Sequence, residues 1–215
     1  MEKEKTQHIV NKYKATVFGD RVGKVDTKPI DFDFDPKFKP IQPPYRPPPL
    51  HYQEKLSEHL EYLRRNDIIE DVDPRESIDC VMNVVITEKN KPGEIRMNVD
   101  ATPLNGGIRR TKFHVRTPQE VRHDLVGAAV FTEMDMRMGF HQLPITEKTS
   151  SRSVFQTHEG LHRMKRLYFG PTSSSGIFHH EVEKVFRGIP GCTTTGVWEE
   201  PRGAQREPGK NSIQM

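Results

Sequence analysis

The chain has 215 residues, of which 33% are hydrophobic, with 17 prolines and a formal net charge of +3. Its mean hydropathy of -0.76 and the lack of any long apolar run exclude a transmembrane helix, and the opening "MEKEKTQH" is not a secretory signal. Cys80 and Cys192 are too few for a disulfide framework or a zinc site, so an intracellular protein, cytoplasmic or nuclear and without a membrane partner, is expected.

The apolar share is low for a self-contained globular domain, where about 45–50% counted with glycine is usual. The composition therefore predicts either much loop and tail or a piece of something larger. Residues 1–28 are charged around a short apolar island, "ATVFGDRVGK". "TKPIDFDFDPKF" (28–38) alternates apolar and acidic residues, as a half-exposed strand does. "KPIQPPYRPPPLHYQ" (39–53) is proline-rich and extended, a rigid lead-in or a recognition peptide. The following segment reads as an amphipathic helix with Leu56, Leu60, Tyr62 and Leu63 on its apolar stripe and Asn66-Asp67 at its end. Residues 79–100 read as a β-hairpin with a basic tip turning at Pro92-Gly93.

"TPQEVRHDLVGAAV" (117–130) predicts a helix, with Thr117 as N-cap, Pro118 at the first helical position and Glu120 three residues after the cap. A strand is expected over 130–136, "VFTEMDM", and a second hairpin over 150–170 around Glu159-Gly160. A last helix is expected within 173–190, burying Ile177, Phe178, Val182, Val185 and Phe186. This order is an α+β pattern. Asp135 stands among three methionines and two phenylalanines in "FTEMDMRMGFHQLPI". A buried carboxylate there would need a metal or donor to satisfy it. A strand-end aspartate capping a turn is the plainer alternative. Two basic stretches, 106–123 with five Lys/Arg against one Glu and 151–166 with four against one, suit phosphate contact or a solvated surface.

Three motifs stand in fixed order: "IRMNVDATPLN" (95–105), "FTEMDMRMGFHQLPI" (131–145) and "LYFGPTSSSGIF" (167–178). Together they resemble the reverse transcriptase domain of Ty3/gypsy-type retrotransposons over roughly residues 10–192. The resemblance implies the fingers and an incomplete palm of a right-hand polymerase fold. It divides the chain into a lead-in (1–38), a proline-rich linker (39–53), fingers and palm (54–192) and a tail (193–215). It also implies the following roles. Asp135 is the catalytic first metal-binding aspartate, and Met136 adds its backbone carbonyl. The cofactor is Mg²⁺, in a two-metal nucleotidyl transfer. Arg96 contacts the incoming triphosphate, Phe140 is the steric gate against a ribose 2′-OH, and Gly170 lets backbone approach the nucleotide. Asn105 matches a fingers–palm asparagine, a turn role being the alternative. A surface arginine and a core phenylalanine are the alternatives for Arg96 and Phe140. Partners implied are an RNA or DNA template-primer and dNTP, with thumb and RNase H portions elsewhere in a Pol polyprotein.

The departures fall at Thr102, Tyr168 and Ser175, where the family usually has arginine, proline and proline, and at Arg137 beside Asp135. The family's paired aspartates should follow "RGIPGC" (187–192), yet "TTTGVWEEPRGAQREPGKNSIQM" holds no aspartate. One choice of synonymous codons from Thr195, read one base later, gives L-V-C-G-K-N-P-E-E-H-N-E-N-L, similar to the stretch after those aspartates. A frame change near 193–195 is thus expected, leaving Asp135 without its partner carboxylates and the chain without polymerase activity. A non-catalytic nucleic-acid-binding module and a proline-rich interaction protein are the competing expectations.

Overall fold

Leu56, Leu60 and Leu63 recur at the spacing that stacks side chains on one face of a helix. In the computed structural model they lie on α2 (Leu50–Arg65), each with at most 1% of its surface exposed. Each such burial contributes about 1.5–3 kcal/mol. Tyr62, expected on the same stripe, packs beside it only partly buried. The helix is entered through Pro49 in extended conformation and gives out at Asn66, before Asp67 at φ 55°. The structure describes residues 2–19, 21–88, 94–110, 113, 116–129 and 133–194.

Both expected hairpins form. β2 (Val81–Glu88) pairs antiparallel with β3 (Ile95–Val99), setting Val84 opposite Val99 and Thr87 opposite Arg96. The Pro92-Gly93 turn between them lies outside the described residues. β4 (Val154–Thr157) pairs with β5 (Gly160–Met164) across the Glu159-Gly160 turn. What local pattern could not give is their union. β2 runs parallel to β4, with Val81 opposite Val154. β1 (Ile69–Asp71) adds antiparallel to β5, closing one five-stranded sheet in the order β1-β5-β4-β2-β3. The first half of β2 is buried on both faces, as a central strand requires. One face of this sheet contributes Met82, Val84, Phe155 and Met164 to the core that the α2 leucines complete.

Residues 28–38 keep the expected alternation but form no regular strand. Ile30, Phe32 and Phe34 are buried, while Asp31, Asp33 and Asp35 face outward. Single bridges from Ile30 to Ile145 and from Phe34 to Ile108 replace a ladder. The Thr149 hydroxyl takes the Phe32 N–H at 2.9 Å, a side chain standing in for a strand neighbour. The proline-rich segment is likewise stitched down. Asn83 on β2 accepts from the Arg46 N–H at 3.0 Å and donates to the Pro44 carbonyl at 2.9 Å. An N-terminal helix, α1 (Glu2–Lys12), was not anticipated from its charged sequence.

The remaining helices are short. α3 covers Thr102–Asn105, α4 Pro118–Asp124, α5 Glu147–Ser151 and α6 Ser174–Phe186. α4 starts with the expected capping box, the Glu120 N–H donating to Thr117 and the Glu120 carboxylate accepting from the Thr117 N–H. It stops well short of residue 130, because Gly127 takes φ 83°, where helix cannot continue. α6 buries Ile177, Phe178 and Val182, but Val185 is 52% exposed.

The strand expected over 130–136 is corrected in its described part. Residues 133–136 are irregular, and 130–132 lie outside the described residues. Among the described residues no strand pairs with 133–136, and unpaired strand groups gain nothing over water.

Candidate active site

The three motifs that lie apart in sequence pack together here. The first forms β3 and α3. The second becomes a 3₁₀ turn, Gly139–Gln142, entered through Met138 at φ 50°. The third is the loop that runs into α6. Their junction is a clamp made by Asn105. Its amide donates to the Gly170 carbonyl at 3.1 Å, and its carbonyl accepts the Thr172 N–H at 2.9 Å. Gly170 stands at φ 123°, and a Cβ there would come within 2.5 Å of the Val99 carbonyl oxygen. Glycine is required on both counts.

Phe140 is 4% exposed. Its ring stacks on Phe178 at 4.7 Å and meets Phe169 at 3.9 Å. Phe169, which the motif reading did not single out, is 37% exposed and covers Phe140 on its outer side. The "LYFG" segment was the available signal for it. Arg96 is exposed on β3, opposite Thr87.

Asp135 is exposed, not buried. The need for a metal to satisfy a buried carboxylate therefore does not arise, because water solvates it. Met136 is partly buried against the core. Among the described residues no three His, Cys, Asp or Glu side chains converge as a metal-binding set. The described residues do not fit a two-metal centre. At the far end of the site, Arg116 donates to Thr193 at 2.9 Å and pairs with Asp124. This holds the chain against α4 just before the tail, whose residues 195–215 lie outside the described residues.

His141 sits behind Phe140. Burial pushes its imidazole down to about 4, the nearby His59 and Arg166 charges act the same way, and a hydrogen bond to the Leu167 carbonyl opposes them. Elsewhere an ion-pair cluster ties α2 to the sheet. Arg64 donates to Asp71 at 3.0 Å and to Glu159 at 2.8 Å. Asp71 also meets His162 Nδ1 at 2.8 Å. Burial alone would raise the Asp71 carboxyl, but Arg64 and His162 together hold it below its ordinary value. His162 is 1% exposed, and burial lowers it against the pull of Asp71.

This arrangement of one mixed sheet, a leucine-striped helix behind it and an aromatic turn beside its end is the fingers-and-palm fold of reverse transcriptases. The fold agrees with that of the prototype foamy virus protease-reverse transcriptase at a TM-score of 0.78, with 18% identity over 90% of this chain and 26% of that one. A foamy viral protease-reverse transcriptase in complex with RNA/DNA hybrid matches at 0.72, with 16% identity over 91% of this chain and 26% of that one.

In sequence, the Pol polyprotein from the Drosophila melanogaster transposon opus is 25% identical over 69% of this chain and 15% of its own length. That from transposon 412 is 26% identical over 67% and 12%. An uncharacterized protein of Caenorhabditis elegans is 23% identical over 86% of this chain and 14% of its own length. No family model matches. The chain thus has the reverse transcriptase fold and is similar to retrotransposon Pol polyproteins, and it spans only about a seventh of the length of the relatives it matches. Among the described residues no helix is long and apolar enough to cross a membrane.

Proposed function

We propose that the chain is the fingers and partial palm of a Ty3/gypsy-type reverse transcriptase, and that these 215 residues by themselves hold nucleic acid without copying it. The observation that carries this reading is the Asn105 clamp, which ties the end of the first motif to the Gly170 loop of the third, beside the Phe140–Phe169 contact that joins the second. A gypsy Pol polyprotein, 26% identical over 43% of the chain, supports the subtype. Residues 54–192 form the polymerase part, and 193–215 are an out-of-frame tail.

In the parent enzyme Arg96 binds the triphosphate, since a guanidinium neutralises it through paired hydrogen bonds. Phe140 backs the sugar position through Phe169, and Gly170 admits the nucleotide to the backbone. Asp135 and the Met136 carbonyl would hold one side of a Mg²⁺ site there, whose other carboxylates this chain lacks. One carboxylate cannot clamp two divalent ions, so extension does not occur in this chain. The RNA/DNA hybrid and ds DNA bound by the foamy viral proteins suggest the ligand class, and the basic stretch 106–123 suits its phosphates, whereas Arg163, Lys165 and Arg166 of 151–166 are paired with Asp67, Glu70 and Glu76.

Primer extension on an RNA template with Mg²⁺ or Mn²⁺ is the test. The expected result is none. Extension that disappears in Asp135→Ala would overturn the inactive reading. Binding to an RNA/DNA hybrid is expected to weaken steeply with salt, and salt-insensitive binding or none would overturn the binding reading. Sequencing the locus and transcript across codons 190–215 tests the frame change, which an unshifted locus and transcript would refute.

A further inference from the structure

Between Lys39 and Pro49 the backbone has little choice of shape. Proline fixes its own φ, and Lys39, Gln42, Pro43, Arg46, Pro47 and Pro48 each precede a proline, a place that favours extended backbone. Pro49 stands at φ -54° and ψ 138°, close to polyproline II. That helix repeats every three residues, so Ile41, Pro44, Pro47 and Leu50 fall in one row, Leu50 being the first residue of α2. All four are exposed, Ile41 by 77% and Leu50 by 84%. The side toward the body is held. Pro48 is buried, and Asn83 engages the Pro44 carbonyl and the Arg46 N–H. The result is an apolar rail, already extended, on a fixed support. Lys39 and Arg46 flank the row, both exposed, and residues 39–53 include no acidic side chain.

We propose that this rail docks into the aromatic-lined groove of a polyproline-binding domain of SH3 or WW type, with a carboxylate at the groove's rim meeting Arg46. Such grooves take extended proline-rich segments, and a segment ordered beforehand gives up little entropy on binding. An acidic groove complements the charge of 39–53. Nucleic acid is the poorer fit, because each neutralised phosphate takes its own Lys or Arg and this row is apolar. Docking goes beyond the polymerase reading and does not depend on it, since Arg96, Asp135, Phe140 and Gly170 all lie outside the rail.

The test uses the full chain, titrated by calorimetry with an SH3 domain and, separately, with a WW domain, while sedimentation gives the stoichiometry. Saturable one-to-one binding to at least one of them is expected, weakening as salt rises. Arg46→Gln should remove most of that salt dependence. Pro44→Ala with Pro47→Ala should weaken binding about tenfold or more, as loss of a central anchor does. Ile41→Ser changes one outward side chain and no proline, so it tests the row even where the double variant loosens the rail, and it should weaken binding too. Asp135→Ala should change nothing. No binding to either domain, or unchanged affinity in Ile41→Ser, would overturn the proposal. So would a dimer of the chain that Ile41→Ser dissolves, which assigns the row to a second copy, or RNA/DNA hybrid binding that Ile41→Ser abolishes, which assigns it to nucleic acid. Circular dichroism melts of each variant confirm that it is folded.

Discussion

At the residue scale, Gly170 and Asn105 hold the site's geometry. A Gly170→Ala substitution places a Cβ against the Val99 carbonyl at a φ that L residues avoid, and should cost about 2 kcal/mol in urea unfolding. Asn105→Ala removes both arms of the clamp and should cost about 1–2 kcal/mol. Asn105→Asp keeps the acceptor for Thr172 but loses the donor to Gly170, so an intermediate loss is expected. Asp135 carries the lesson of this scale. Its apolar neighbours in sequence suggested burial, yet Met134 beside it is 67% exposed. Sequence neighbours report burial only where a paired element turns them inward, and no strand pairs with this segment among the described residues.

At the element scale, stability rests on the α2 stripe against the sheet. Leu60→Ala leaves a cavity at a fully buried position and should cost about 2–5 kcal/mol by equilibrium unfolding. Thr117→Ala breaks the α4 capping box at a smaller cost, about 1 kcal/mol.

The Arg64–Asp71–His162 cluster sets a pH dependence with a definite sign. His162 is lowered in the folded state, so below the ordinary histidine value of about 6.5 the unfolded chain takes up the proton first. Stability is then full above that pH and falls as pH drops toward the folded value. Asp71, also lowered, extends the loss below about pH 4. Urea unfolding at pH 7.5 and 5.5 should show the decline, and His162→Gln should lessen it, the remainder coming from His141, which is also lowered. An equal slope in the variant would remove His162 as its source.

At the scale of the whole molecule, two hairpins legible one by one become a single sheet only through the parallel β2–β4 pairing. No local pattern announces that contact, because it joins residues about seventy positions apart. The same holds for the lead-in. Its alternation was legible, but its neighbours Ile108, Ile145 and Thr149 were not, and without a continuous partner it stays a series of bridges. The proline-rich stretch, readable as a free recognition peptide, has backbone groups engaged by Asn83. Asn83→Ala should therefore raise protease sensitivity around residues 40–48, which limited proteolysis would register as faster cleavage there.

The sequence alone determined the helix stripe of α2, the capping box of α4, both hairpins and three polymerase-like motifs, because each of these is written within about twenty neighbouring residues. Only the tertiary structure decided that Phe140 lies beneath Phe169, that Asn105 spends its amide on the Gly170 loop, and that Asp135 faces water. Those outcomes depend on which distant segments pack beside each residue, and burial is set by neighbours in space.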